Sequence, residues 1–230
     1  QHCATVSLAD FLVIAAEAVM TVSREHVLAG DPSRTPVDFR GHFRFGRTTA
    51  LECHWAEGRL PNPERSCTAV NETFVGSLGL SWRGAAALMG VHTLGRASIA
   101  NSGYDGFWSD AENSRRFNNN YYAAMLGKGW MPETAVNGNA DKNQWIRSDV
   151  GRDDQALGKE MMLDTDLCLA FVLDRGGQAE LSARDGEGCC AWISPRFIGD
   201  PRGRGAGATN LYLEGKFCGT DQIPGASDFP

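Results

Sequence analysis

Within Leu88-Met-Gly-Val-His-Thr-Leu-Gly-Arg-Ala-Ser98, His92 stands at the end of an expected apolar helix. Trp108 follows sixteen residues later, after the Gly-rich turn Asn101-Ser-Gly-Tyr-Asp-Gly-Phe107. Taken alone, His92 reads as a buried imidazole bonded to a backbone carbonyl. The other reading is a metal ligand, and that role has requirements. A ligating imidazole needs one fixed tautomer and raised basicity, and a second-shell acceptor supplies both, a carboxylate most strongly. An indole packed beside the ligand also needs a buried acceptor for its N–H. One aspartate can serve both groups, and Glu160-Met-Met-Leu-Asp-Thr-Asp-Leu167 offers Asp166.

The elements that must position these residues are mostly helical. Ser7-Leu-Ala-Asp10 reads as a capping box that opens a helix. From Asp10 to about Ser23 the residues are apolar on nearly all sides, which predicts a buried helix. Leu28 to Pro63 carries too many glycines and prolines for long regular elements and reads as an extended loop. A short helix is expected from Asn71 to Leu78, and another, capped by Ser81, from Trp82 to about Val91. A further helix should run from Arg115 to Leu126 and end at Gly127 and Gly129. Gln144-Trp-Ile-Arg147 and Glu160-Met-Met-Leu163 could pair as a hairpin, followed by a short helix near Thr165 to Val172. Beyond Arg175 the chain is Gly-rich, with strands suggested only at 191–194 and 210–214.

The 230 residues, with 42% hydrophobic and 22% charged, have the composition of a globular protein with room for one sizeable core or two small ones. A net charge of -6 supplies no basic stripe for phosphates, which argues against a nucleic-acid partner. No membrane span is expected: the stretch from Phe11 to Val22 is broken by Glu17. The chain begins at Gln1 without an initiator Met, so it reads as a processed product or an excerpt of a longer polypeptide. Seven cysteines without a C-x-x-C pair argue against zinc and leave two readings, scattered buried thiols or up to three disulfides. Asn71-Glu-Thr73 is a glycosylation triplet, a pattern that also arises by chance.

The segment from Leu88 to Trp108 resembles the proximal haem-ligand segment of the plant, fungal and bacterial haem peroxidases, in particular the cytochrome c peroxidase group. Ser7-Leu-Ala-Asp-Phe-Leu12, Phe45-Gly-Arg47, Gly58-Arg-Leu-Pro61, Asn119-Asn-Tyr-Tyr122, Gly129-Trp130, Asn143-Gln-Trp145 and Met161-Met-Leu-Asp-Thr-Asp166 follow in that family's order, from about Ser7 to Phe171. The resemblance implies a mainly α fold: a haem-peroxidase-like proximal helical domain with a minor β-hairpin and a loop-rich C-terminal extension. It places that domain, without distal helices, over 1–174 and a divergent Gly-rich tail over 175–230. It implies haem b as cofactor and His92 as the iron ligand, with Asp166 as the proximal acceptor and Trp108 as an electron donor. Arg96 could contact a haem propionate, and Ser98 stands where the family carries a bulkier polar group.

Other departures bear on function. Gly84 replaces an acidic residue eight positions before the histidine, and Asn101 stands where an ascorbate-using relative carries arginine. Peroxide cleavage needs a general base and a cation, in the family a histidine and an arginine on an earlier helix. His2, His26, His42 and His54 do not sit in such a helix, and the loop context of Arg40-Gly-His42-Phe-Arg44 argues against it as a replacement. Two functions are therefore expected. One is a haem peroxidase whose distal half comes from an upstream fragment, drawing electrons from a small protein or organic reductant. The other is a catalytically inactive, peroxidase-derived structural or accessory subunit covered by neighbouring chains. The compartment expected for such a processed chain is an organelle (chloroplast or mitochondrion) ahead of the secretory route.

Overall fold

The computed structural model describes residues 5–52, 59–147, 159–170 and 182–185. Among them the chain is mainly helical, with one small antiparallel sheet. No helix of the described residues is long and apolar enough to cross a membrane.

Helix α1 spans Leu8–Gly30 and ends seven residues beyond the apolar stretch that closes at Ser23. Ser7 caps it, its hydroxyl accepting the Asp10 amide at 3.0 Å. The second half of the expected capping box is absent. The Asp10 carboxylate turns away to accept the Gly46 amide at 2.9 Å and the Arg47 guanidinium at 2.9 Å, pinning the following loop to the helix. The expected burial of α1 is also overturned: only Asp10 and Ser23 are buried, while Phe11, Leu12, Val19 and Val22 are each more than half exposed. Arg24 tethers the helix by polar bonds to the carbonyls of Thr35 and Phe117. The apolar side chains find no covering wall among the described residues.

After the irregular stretch, α2 (Ser66–Val70) runs directly into a π-helical turn over Asn71–Ser77, where the short helix was expected. Helix α3 (Trp82–Met89) is capped by Ser81, whose hydroxyl accepts the Gly84 amide, and tightens into a 3-10 turn over Gly90–Thr93. A single turn, α4, follows at Ile99–Ser102. Helix α5 (Asn120–Gly127) begins five residues later than expected. Before it, the Asn118 side chain bonds Thr93 Oγ1, Asn113 and the Asn120 amide, a side-chain network that takes the place of helical backbone bonds.

The expected hairpin is present. Strand β2 (Gln144–Arg147) pairs with β3 (Met161–Met162) through Trp145↔Met162 and Ile146↔Met161. Sequence reasoning missed β1 (Trp130–Glu133), which pairs with β2 on the other side. Pro132 weakens the strand signal there, but β1 is a sheet edge, where a missing N–H is tolerated. Helix α6 (Asp164–Leu167) follows β3 directly. The suggested strands at 191–194 and 210–214 lie outside the described residues.

The core gathers Val70, Met89, Tyr121, Trp130, Trp145 and Leu167 from α2, α3, α5, the sheet and α6. A disulfide joins Cys67 to Cys168 across 101 residues, with the two Cα atoms 5.4 Å apart. It ties α2 to the turn after α6. Closing a loop of that length contributes about 4–5 kcal/mol in the chain-entropy account. The other five cysteines lie outside the described residues.

A buried ion cluster anchors β3. Glu160 is fully buried and accepts the Arg147 guanidinium at 2.9 Å and the Lys128 ammonium. Burial pushes the Glu160 carboxyl up and the Lys128 ammonium down, each opposed by the attraction between them. Removing one member of such a cluster leaves uncompensated buried charge. Glu160→Gln should therefore lower the unfolding free energy by about 3–5 kcal/mol in chemical denaturation; a change below 1 kcal/mol would show that the cluster does not hold the strand.

Candidate functional site

Three short segments converge on one point. His92 lies on the 3-10 turn that ends α3. The chain then doubles back, with Ala97 and Gly106 exchanging backbone bonds at 2.9 and 3.2 Å. Gly106 is required here: its φ is +147°, and a Cβ would stand 2.5 Å from the Lys159 carbonyl oxygen. That close approach lets Phe107 bridge to the strand leading into β3, its amide donating to Lys159 O and its carbonyl accepting from Met161. Trp108 follows immediately, while α6 brings Asp166 up from the far end of β3.

The Asp166 carboxylate is fully buried and accepts four hydrogen bonds, two on each oxygen. Oδ1 receives His92 Nδ1 and the Tyr121 hydroxyl, each at 2.8 Å. Oδ2 receives Trp108 Nε1 at 2.8 Å and the Leu163 amide at 2.8 Å. The last of these caps α6, so the same carboxylate starts its own helix and serves the site. The Trp108 indole and the Leu163 amide can only donate, the Tyr121 hydroxyl donates to Oδ1, and a carboxylate oxygen that accepts beside them makes His92 Nδ1 the protonated nitrogen. Nε2 is left with its lone pair, and it has no hydrogen-bond partner among the described residues. The imidazole is 31% exposed and stacks on the Trp108 indole at 4.2 Å between centroids, 20° from parallel.

This donor set fits a metal held in a macrocycle. Among the described residues no group of three or more His, Cys, Asp or Glu side chains is arranged to hold a metal. A metal at Nε2 would take its remaining ligands from elsewhere, as haem iron does from the porphyrin. Leu88, Val91 and Ile99, on either side of His92 in the chain, keep exposed apolar side chains suited to a flat apolar ring.

The structure thus brings His92, Trp108 and Asp166 together and places the other two candidate residues apart. Arg96 is paired with Asp105 at 2.6 Å and lies over the Phe107 ring at 5.2 Å. Ser98 is the N-cap residue of α4, without a side-chain capping bond, and its carbonyl accepts the Ser102 hydroxyl. Arg40–His42 forms an exposed 3-10 turn, in keeping with the loop reading. Gly84 falls at the third position of α3, over the Ser81 cap. An acid there would complete a capping box, so this departure touches the start of the helix and not the imidazole. Tyr121 was missed as a site residue. Its only sequence signal is a polar aromatic in a helix otherwise set to be buried, whose hydroxyl must find a partner.

The fold, mainly α with a small sheet, and an aspartate that joins an imidazole to an indole define a peroxidase-like protein. A family model described as "Peroxidase" matches residues 1–175, and the chain belongs to that family. It is 38% identical over 112 residues to a protein of Pyricularia oryzae named "Putative heme-binding peroxidase", covering 49% of this chain and 34% of the relative. It is 35% identical over 112 residues to the mitochondrial cytochrome c peroxidase of Candida albicans, covering 49% and 26%. With the cytosolic L-ascorbate peroxidase 1 of Oryza sativa subsp. indica it shares 37% identity over 70 residues, covering 30% and 27%. The chain spans about a third or less of the length of these curated relatives.

Asp164, on the same turn as Asp166, is also buried; its Oδ1 accepts Trp145 Nε1 at 2.7 Å and the Ala183 amide at 2.8 Å. Burial pushes its carboxyl up to about 6, with the Glu64 charge adding to the effect and the bonds from Ala183 and Trp145 opposing it. The folded state therefore binds this proton more tightly than the unfolded chain. Its stabilising contribution is complete below about pH 4 and is lost as pH rises through about 6, a change of roughly 3 kcal/mol. Urea denaturation across that window should show the decline in the parent protein and a flatter profile in Asp164→Asn; equal slopes in the two proteins would refute it.

Proposed function

We propose that this chain forms the proximal half of a haem b peroxidase that reduces hydrogen peroxide with electrons from an external donor, once distal groups are supplied. The observation that carries this reading is the shared carboxylate: Asp166 accepts both His92 Nδ1 and Trp108 Nε1 at 2.8 Å. Bound haem would supply the iron at which peroxide is cleaved and the oxidising equivalents are held. His92 would hold the iron through Nε2. Asp166 holds the proton on Nδ1, fixes the ring and raises its basicity. Trp108, stacked on His92, would pass an electron to the oxidised haem, and the adjacent buried carboxylate would stabilise the positive charge left on the indole by Coulomb attraction.

Arg96 enters this reading as a cation at the rim, where moving off Asp105 would let it pair with a propionate. Ser98 enters as a small polar neighbour at the start of α4. The histidine and arginine that manage peroxide would come from an upstream fragment of the same protein or from a partner. The donor would be a small protein or an organic reductant. The Cys67–Cys168 disulfide favours an oxidising compartment.

The exposed apolar residues of α1 support a second reading, a peroxidase-derived structural or accessory subunit without catalysis, whose neighbours cover that face. Absorption spectroscopy separates the two. In a haem peroxidase, added haem gives a Soret band that changes on His92→Ala, and Asp166→Asn lowers haem affinity about 10–100-fold. Protein that stays haem-free under titration and is isolated in a large assembly would exclude the peroxidase reading.

A further inference from the structure

The fourth donor on Asp166 is not needed to hold the imidazole or the indole. Tyr121 lies on α5, entirely buried, and its hydroxyl meets the same Oδ1 that receives His92 Nδ1. Its ring stands edge-on to the imidazole, centroids 5.8 Å apart and planes at 82°. A phenylalanine would fill this place without bringing a hydroxyl into the core, and a buried hydroxyl is costly unless it is paired. The pairing it makes has a consequence for its neighbour. Two donors on one oxygen divide that oxygen's negative charge between them, so each bond is weaker than it would be alone.

We infer that Tyr121 is a positioning residue that limits the electron-donating strength of His92 by sharing Asp166 Oδ1 with the imidazole. A carboxylate bonded only to Nδ1–H draws the proton away and makes Nε2 a stronger donor to a metal. A phenol on the same oxygen moderates that effect. The phenol donates to Oδ1 at 2.8 Å, the same distance as the imidazole. Tyr122 provides an internal control. It sits next to Tyr121, with centroids 5.0 Å apart, but its hydroxyl donates to the Ala86 carbonyl at 2.6 Å.

This inference rests on the haem-ligand reading of His92, and the experiment keeps the two separate. In haem-free protein, NMR should show the His92 Nδ1 proton moving downfield in Tyr121→Phe, as its bond to Asp166 strengthens, and staying in place in Tyr122→Phe. In haem-loaded protein, Tyr121→Phe should raise the iron–histidine stretching frequency and shift the iron midpoint potential downward, again with no change in Tyr122→Phe. An unmoved proton together with an unmoved stretching frequency would overturn the role of Tyr121. Failure of the parent protein to take up haem would overturn the ligand reading, while the proton shift would still decide whether Oδ1 is shared. If Tyr121→Phe does not fold, fluorotyrosine at position 121, a more acidic phenol and stronger donor, should move the same signals the opposite way; identical signals would again overturn the role.

Discussion

A fully buried carboxylate must be surrounded by donors, and much of this structure serves that need at Asp166. An unpaired charge in such a place would cost several kcal/mol, and here all four of its acceptor directions are filled. Four separate parts of the chain fill them: the end of α3 through His92, the doubled-back segment through Trp108, α5 through Tyr121, and the start of α6 through Leu163. The site is therefore also a packing centre. The geometry of the imidazole and the indole is set by the same bonds that make the buried charge tolerable.

The surrounding scaffold explains why these four parts meet. Lys128, Arg147 and Glu160 bind the end of α5, β2 and the approach to β3 into one buried ionic cluster. Lys128 also donates to the carbonyl of Ser109, next to Trp108. Gly106 permits a backbone approach that no side chain would allow, and so brings the indole alongside β3. The Cys67–Cys168 disulfide closes the far side, behind α6. A rigid frame of this kind holds the imidazole and the indole in one orientation.

Much of the site is legible in the sequence because its chemistry demands particular residue types. An imidazole, a nearby indole and an acid that accepts from both impose a pattern that survives reading one residue at a time. Tyr121 is not legible, because a tyrosine in a buried helix gives no sign of which oxygen its hydroxyl will find. The hairpin of β2 and β3 shows in its apolar alternation, whereas Pro132 conceals β1 by removing the usual strand signal. The start of α5 is misread for a related reason: the Asn118 side chain accepts from the Asn120 amide and from Thr93 Oγ1, which periodicity does not register.

By itself the sequence determined the helical character of the chain, the caps at Ser7 and Ser81, the pairing of β2 with β3, and the identity of His92, Trp108 and Asp166. These depend on local propensity, on short-range hydrogen bonding, or on side-chain chemistry that few residues can supply. Only the tertiary structure decided that Asp10 leaves its cap to hold a loop, that α1 presents an apolar face outward, and that one carboxylate oxygen is divided between an imidazole and a phenol. Each of these is settled by which distant groups compete for the same atom or the same surface, and such competition exists only once the chain has folded.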